Sequence, residues 1–197
     1  MAESPDLKAW FSRDVALVAR ELLGTELLVD GVGGIITETE AYHPGEAASH
    51  AHRGQTVRNS SMFLGAGHVY VYRSYGIHWC FNLVCADAAA VLVRAIEPTE
   101  GIERMVERRG LSDRRALCSG PGKLCAALGI TKAQDGLLLD EAPFSFRAAA
   151  QAPPMVIGPR IGITKAAELP WRFGIAGSAY LSRSFKTAGP ASTSISE

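Results

Sequence analysis

The chain has 197 residues, of which 47% are hydrophobic and 20% charged, a globular composition that excludes wholesale disorder. Its 20 basic and 20 acidic residues cancel, so the total charge gives no direct indication of a polyanionic partner. No apolar run is as long as the roughly 18 residues that a membrane-spanning helix needs. The N-terminus, MAESPDLKAW, is acidic, whereas a signal peptide begins with basic residues. We therefore expect a cytoplasmic protein with no membrane partner.

The cancelled charge hides an uneven distribution along the chain. Residues 1–50 carry nine acidic and three basic side chains, whereas residues 51–125 carry ten basic and six acidic ones. A local basic face is compatible with these counts, and so is a mixed solvated surface.

Four cysteines, Cys80, Cys85, Cys118 and Cys125, show no C-x-x-C spacing. In a reducing compartment such cysteines are usually small buried hydrophobic residues. We expect neither a disulfide nor a zinc site.

The first half of the chain predicts one helix followed by two hairpins. SRDVALVARELLG is typical of a helix that is capped by Ser12 and ended by Gly24. TELLVDGVGGIITETEAY then predicts two strands around the glycine-rich turn DGVGG. HVYVYRSYGIHWCFNLVC predicts a second hairpin, with Ser74, Tyr75 and Gly76 near its tip.

The second half predicts further strands and two more helices. AAVLVRAIEP is typical of a short buried strand, and the next helix is expected to open with Pro98 near its first turn and to stop at Gly110. SGPGKLCAALG predicts another helix, which begins around Ser119 and Pro121 and ends at Gly129. Short alternations in FSFRA, MVIGPRIGI and WRFGIAGSAYLSR indicate more strands.

These elements predict an α+β fold with a mainly β core. We expect one domain over residues 1–186, in which surrounding helices pack on a curved, largely antiparallel sheet with a protruding β-hairpin. The last residues, 187–197, are rich in Ser, Thr, Gly and Pro and are expected to form a disordered tail.

One predicted strand face combines acids with aromatic rings. Alternate residues of a strand share a face, which groups Ile36, Glu38, Glu40 and Tyr42 in one strand and Tyr70, Tyr72 and Ser74 in the next hairpin. Three histidines, His43, His50 and His52, follow the first group. An ordinary solvent-facing strand explains polar alternation, but the mixture of carboxylates, phenols and imidazoles favours a pocket.

Two chemistries fit these residues. Glu40 could join His50 and His52 in a metal site, since His-x-His is a common ligand spacing. Alternatively, Glu40 could deprotonate a water molecule while the aromatic rings hold a substrate, a role worth about 10²–10⁴-fold in rate. The residues alone leave both chemistries open.

The ordered motifs resemble those of the alkyladenine, or 3-methyladenine, DNA glycosylase family. They are ETEAY, EAASHAHRG, VRNSSMF, VYVYRSYG, CFN, VLVRAIEP and CSGPGKLC, in family order. The resemblance covers residues 10 to about 185 and implies removal of alkylated or deaminated purines from double-stranded DNA. It implies no metal, no cofactor and no obligate protein partner, and association with the nucleoid in a bacterium.

The resemblance also implies roles for individual residues. Glu40 matches the general base that activates water for attack at the sugar C1′, and Arg94 matches the residue that holds this water and the carboxylate. Since strand-cleaving glycosylases use an amine, and no lysine lies between Glu40 and Tyr75, we expect no lyase activity and no covalent role for Lys123.

The flipped base would be held by the residues that match the family's pocket. Tyr42, Tyr72 and His50 match the sandwiching rings, Asn82 the side chain that crowds the guanine 2-amino group, and Tyr75 the wedge that enters the duplex. Further candidate DNA contacts are Arg58, Met62, His78, Lys123 and Ser178.

The match departs from the family pattern at the histidines. In AASHAHRG a serine precedes His50 and a second histidine follows it, so either His50 or His52 could line the pocket. The rival hypotheses are a metal-dependent hydrolase that uses His50 and His52, and a module that recognises damaged bases without cutting. The sequence names no acid that would protonate a neutral leaving base, and it does not rank the lesions.

Overall fold

A curled antiparallel sheet forms the centre of the protein, and the computed structural model describes it within residues 6–185. The strands are β1 Glu26–Val29, β2 Val32–Tyr42, β3 Val69–Ser74, β4 His78–Val84, β5 Ala90–Glu100, β6 Phe144–Arg147, β7 Met155–Gly158 and β8 Arg172–Ile175. They follow the order β3-β4-β5-β2-β1-β6, and β8 joins β2 to β7. Strand β2 is thus central, with β5 along one edge and β1 and β8 along the other.

Helices pack around this sheet, which confirms the predicted α+β class. They are α1 Leu7–Phe11, α2 Val15–Glu21, α3 Ile102–Arg109, α4 Arg114–Leu117 and α5 Pro121–Leu128, with 3₁₀ segments at Val57–Phe63, Ala86–Ala88 and Lys132–Gln134. Helix α2 packs on β2, and α5 packs on β4, β5 and α3. Among the described helices, none has the length and apolar character needed to cross a membrane. The predicted boundary at residue 186 and the tail 187–197 lie outside the described residues.

The main core lies between the sheet and the helices. Phe11, Val18 and Leu22 meet Val69 and Phe81 there with no exposed surface. Each such side chain contributes about 1.5–3 kcal/mol through burial. A smaller apolar cluster on the second face of the sheet contains Ala51, Met62, Tyr70, Val84, Ala88 and Ala90. This second cluster forms the base of the candidate site.

The four cysteines are free thiols in the interior, as predicted. Burial raises the pKa of Cys85 to about 12, and it raises that of Cys118 to about 12 as well. These thiols therefore stay protonated at neutral pH and pack as small apolar groups.

Both predicted hairpins are present, and the second has an unusual tip. Ser74 O accepts a hydrogen bond of 2.9 Å from the Ile77 N–H, which closes a turn around Tyr75 and Gly76. Both central residues have positive φ, 48° at Tyr75 and 69° at Gly76. Glycine adopts this conformation freely, whereas a tyrosine adopts it at a cost of about 1–3 kcal/mol. Such strain is concentrated at functional positions.

Two helix boundaries differ from the sequence prediction. Asp14, not Ser12, caps α2, because its carboxylate accepts the Leu17 N–H at 2.9 Å. Ser12 instead ends α1, a helix that the sequence pattern did not reveal. Pro98 lies inside β5, which is longer than predicted, and α3 begins only after Gly101. Gly101 has a φ of 64°, and this left-handed residue breaks the chain between strand and helix.

The predicted strict alternation of β2 is also wrong at one point. Ile36 and Ala41 both pack in the main core, although five positions separate them. The pairing of β2 with β5 shifts register between Ile36 and Glu38 and again between Glu38 and Thr39. A bulge that inserts one residue turns the following side chains to the other face. Glu38 and Glu40 therefore leave the face that Ile36 occupies.

Candidate active site

A cavity of about 630 Å³ opens on the second face of the sheet, beside the β3–β4 hairpin. This size is within the range of pockets for small ligands. The cavity is lined by Tyr42, Ala48, His50, Arg58, Met62, Tyr70, Tyr72, Ser74, Tyr75, Gly76, His78, Cys80, Asn82, Ala90, Leu92, Arg94, Pro121, Ile161, Gly162 and Ile163. Nine candidate residues therefore meet at one place, eight of them from six separate motifs and the ninth, His78, from β4.

Glu40 lies directly behind this lining with a fully buried carboxylate. Its Oε2 accepts the Tyr42 hydroxyl at 2.8 Å and lies 3.2 Å from Nη1 of Arg94. Its Oε1 accepts the backbone N–H of Ile161 at 2.7 Å. A carboxylate offers about four lone-pair sites, so one site remains for a further donor.

A second buried carboxylate, Glu38, holds the guanidinium groups of Arg94 and Arg172. Its Oε1 lies 2.9 Å from Nε of Arg94 and 2.8 Å from Nε of Arg172. The hydroxyl of Ser182 donates to the same oxygen at 2.8 Å, and the Ser182 N–H donates to Oε2. Burial acts against the charge of Arg94, but Glu40 and Glu38 outweigh it and raise the pKa of that guanidinium. Two anions and two cations thus form one balanced cluster.

Aromatic rings form the walls of the cavity. The His50 ring meets Tyr72 edge to face at 4.5 Å between centroids, and Tyr72 stacks on Tyr70 at 5.4 Å. Burial, reinforced by Glu40, raises the pKa of the Tyr42 phenol. Burial also raises the pKa of Tyr72, so both phenols remain neutral. The walls are electron-rich and uncharged, which suits a flat, electron-poor ring.

The structure places His50, and not His52, in this cavity. Nδ1 of His50 lies 2.9 Å from the Tyr70 hydroxyl, whereas Nδ1 of His52 lies 2.9 Å from the Pro44 carbonyl. Burial and the nearby Arg58 lower the pKa of His50, so its ring is neutral at neutral pH. Within residues 6–185, no three His, Cys, Asp or Glu side chains converge as metal ligands.

Other candidate residues occupy the rim and floor. Asn82 is buried, and its Nδ2 donates to the Tyr70 carbonyl at 3.0 Å. Met62 packs in the floor cluster, while Arg58 donates to the Arg73 carbonyl at 3.1 Å. Tyr75 projects from the rim with 86% of its surface exposed. These positions would place apolar and amide groups inside the cavity, and a cation and a free ring at its mouth.

Helix α5 reaches the cavity through Pro121, close to His78. A Cβ atom on Gly122 would lie 2.8 Å from Cγ of His78, so only glycine permits this close approach. Lys123 and Ser178 do not line the cavity; Lys123 is exposed and donates to Ser119 Oγ at 3.3 Å. Their DNA contacts remain predictions.

Sequence reasoning missed the groups that support the site. Asn59 donates to the His50 carbonyl at 2.8 Å and fixes that segment. Arg160 is buried, pairs with Glu46 at 2.7 Å and lies against the Tyr42 ring. Glu46 begins the motif EAASHAHRG, but its pairing with Arg160 could not be inferred, since the two residues are 114 positions apart. The burial of both charged side chains in the folded protein is what identifies this pair as part of the site.

Comparison with known proteins identifies the family of this chain. A sequence model described as methylpurine-DNA glycosylase matches residues 9–179, most of the chain. The chain belongs to this family of DNA-repair glycosylases. The earlier resemblance to alkyladenine DNA glycosylases is thereby confirmed.

Individual members of the family are similar over nearly their full length. A protein of Rhodopseudomonas palustris (strain HaA2) is 56% identical over 185 residues, which cover 92% of each chain. One from Nitrobacter winogradskyi is 56% identical over 94% of this chain and 90% of its own. One from Agrobacterium fabrum is 55% identical over 93% and 95%. All three carry the name "Putative 3-methyladenine DNA glycosylase".

Proposed function

We propose that this glycosylase hydrolyses the N-glycosidic bond of alkylated or deaminated purines in duplex DNA and leaves an abasic site. The observation that carries the proposal is the buried carboxylate of Glu40 at the wall of an aromatic cavity with an exposed Tyr75 at its mouth. A base within a duplex cannot reach a buried carboxylate, so the target nucleotide must leave the stack. The cavity and its rim supply residues for base flipping, for hydrolysis and for discrimination against normal bases.

Base flipping is assigned to the hairpin tip and the aromatic walls. The Tyr75 ring enters the space that the flipped base vacates, while Tyr42 on one side and His50 with Tyr72 on the other hold the base. Stacking contributes about 1–3 kcal/mol per base, comparable to the few kcal/mol that flipping costs. The uncharged rings stack on both cationic and neutral damaged purines.

Hydrolysis is assigned to Glu40 and Arg94. Three donors occupy three lone-pair sites of the Glu40 carboxylate, and the fourth accepts a proton from the attacking water. The water oxygen forms a bond to C1′ as the C1′–N bond breaks, and the electron pair of the C1′–N bond moves to the base. Arg94 lines the cavity beside Glu40 and orients both the carboxylate and the water.

Discrimination against normal guanine is assigned to Asn82. Its amide nitrogen donates to the carbonyls of Tyr70 and Cys80, at 3.0 and 3.4 Å, which fixes the side chain. A fixed side chain cannot withdraw from the guanine 2-amino group, so guanine is crowded while purines without that group enter. Asn82 thereby acts on fit and not on the chemical step.

The proposed reaction is monofunctional and uses water alone as the nucleophile. A lyase needs an amine that attacks C1′ to form a Schiff base. Lys123, the lysine within a family motif, is exposed outside the cavity and donates to Ser119. No described lysine lines the cavity.

The direct test is base release from defined DNA. The protein, in EDTA, is incubated with duplexes carrying a single hypoxanthine, ethenoadenine or methylated purine, and alkali then cleaves the abasic sites. We expect cleavage only after alkali, and no stable DNA adduct after borohydride. Tight lesion binding without release would identify a recognition module, activity only on addition of metal would favour a metallohydrolase, and a trapped adduct would contradict the water mechanism.

Tyr75→Asn is expected to lower excision by about tenfold to a hundredfold, because the ring no longer stacks in the duplex. Asparagine tolerates the positive φ of 48° at this position, so the hairpin should keep its shape. Single-turnover excision on duplex and single-stranded substrates measures the effect. A wedge matters only in the duplex, so an equal loss on both substrates would contradict this role.

A further inference from the structure

A buried guanidinium lies against the base-binding tyrosine from outside the cavity. The Arg160 guanidinium carbon is 4.6 Å from the Tyr42 ring centroid and 5.6 Å from that of Trp171. Arg160 does not line the cavity, whereas Tyr42 does. The guanidinium therefore contacts the Tyr42 ring from outside the cavity.

Arg160 is fixed in this place by the groups around it. Nη1 and Nη2 donate to the Glu46 carboxylate at 2.7 and 3.2 Å, and further to the carbonyls of Ala41 and Ala166 at 2.9 and 3.0 Å. Nε is the one buried side-chain nitrogen or oxygen within residues 6–185 that lacks a hydrogen-bond partner. Buried polar groups usually have a hydrogen-bond partner, so the guanidinium lies against the Tyr42 and Trp171 rings at the expense of one hydrogen bond.

A cation behind an aromatic ring alters what the other face attracts. The negative face of a phenol attracts a cation, but a guanidinium already bound to one face opposes a second cation on the other. In a water-excluded site such an interaction extends over several ångströms. The Glu46 carboxylate pairs with the same guanidinium at 2.7 Å and weakens this field.

We propose that Arg160, balanced by Glu46, determines specificity by favouring neutral damaged purines over cationic ones at the Tyr42 wall. The inference rests on the proposed glycosylase function and extends it to the charge of the lesion. Arg160 acts through Tyr42 and touches no substrate atom, so it is a positioning and tuning residue.

The electron flow of the reaction explains the preference. When the C1′–N bond of a neutral purine breaks, the electron pair makes the base negative, and the nearby guanidinium stabilises that charge. A cationic purine becomes neutral when its C1′–N bond breaks, so the guanidinium does not stabilise it as a leaving group. In the bound state, the positive charge of the guanidinium repels the cationic purine. The field of Arg160 thus assists the lesions for which the sequence shows no protonating acid.

Three substitutions separate this role from simple structural support. Arg160→Met removes the charge, Arg160→Lys keeps a charge without the planar fork, and Glu46→Gln leaves Arg160 in place without its counter-charge. A structural clamp would weaken excision of all lesions together. A tuning charge shifts the ratio of neutral to cationic lesions, and it shifts it in opposite directions for Arg160→Met and Glu46→Gln.

The experiment measures kcat/KM for hypoxanthine in a duplex and for 3-methyladenine in methylated duplex DNA. We expect the hypoxanthine-to-3-methyladenine ratio to fall about fivefold in Arg160→Met, to rise about threefold in Glu46→Gln and to stay within about twofold in Arg160→Lys. Thermal unfolding checks each variant, and Glu46→Gln decides alone if Arg160→Met does not fold.

Each outcome has a defined meaning. A wild type that releases neither base contradicts the proposed function itself. A wild type active on both bases whose ratio is unchanged, or moves the same way in Arg160→Met and Glu46→Gln, contradicts only the role of Arg160. A wild type that releases 3-methyladenine but no hypoxanthine, with no gain in Glu46→Gln, also overturns that role.

Discussion

Glu40→Gln is expected to lower the rate of base excision by about 10²–10⁴-fold while lesion binding is retained. Glutamine keeps the volume of the side chain and can accept hydrogen bonds from the Tyr42 hydroxyl or the Ile161 N–H, but it cannot take a proton from water. Cavity shape and aromatic walls are unchanged, so binding should persist. Single-turnover excision and gel-shift titration measure the two properties separately.

The matched control for this variant is Glu141→Gln, because Glu141 is an exposed acid outside the cavity. Its excision rate should equal that of the wild type. A Glu40→Gln protein with more than about a tenth of wild-type activity would place the base elsewhere, since a positioned base contributes at least about 10²-fold. Loss of lesion binding together with activity would instead assign Glu40 to the architecture of the pocket.

The sequence predicted the elements whose signals are local. The two hairpins follow from apolar alternation interrupted by turn residues, and both formed where expected. Helix α5 follows from a proline at its first position and Gly129 at its end. Such signals depend on neighbouring residues alone, so one sequence suffices to read them.

The pocket residues were predicted from the ordered family motifs and not from the periodicity of apolar residues. Strict alternation placed Glu38 and Glu40 on the face of Ile36, but the register shifts of β2 against β5 turned them away from that face. A bulge depends on the pairing of two distant strands, and a single strand sequence carries no sign of it. The assignment of these acids to a pocket stays a prediction, whereas the common face inferred for them from strict alternation is wrong.

The supporting charges could not be predicted because their partners are distant in sequence. Glu46 meets Arg160 across 114 residues, and Glu38 meets Arg172 across 134 residues. Each arginine occurs in a short stretch without a motif. Only the folded chain shows that burial and pairing coincide, which is what identifies these groups as parts of the site.

Glu38→Gln is expected to lower the free energy of unfolding by about 3–5 kcal/mol, more than Glu40→Gln. Glu38 is the carboxylate partner of Arg172, whose other contacts are the Arg183 carbonyl and the Phe185 ring. Loss of the Glu38 carboxylate leaves the buried guanidinium of Arg172 without a counter-charge. Urea unfolding followed by far-UV circular dichroism measures the change.

Glu38→Gln and Glu40→Gln each remove one negative charge from the buried cluster of two acids and two arginines. The difference between their losses of stability therefore depends on where the charge is removed. After Glu40→Gln, the surplus charge lies at Arg94, which lines the cavity where water can solvate it and which keeps Glu38 as a partner. We expect that variant to lose at most about 2 kcal/mol.

The double variant Glu38→Gln/Arg172→Met restores neutrality and should regain part of the lost stability, because a buried ion pair replaced by uncharged groups is often tolerated. Equal losses in the two single variants would show that the cluster responds only to its total charge. In that case Glu38 would have no separate role in holding Arg172, and the catalytic and structural carboxylates of β2 would be energetically interchangeable.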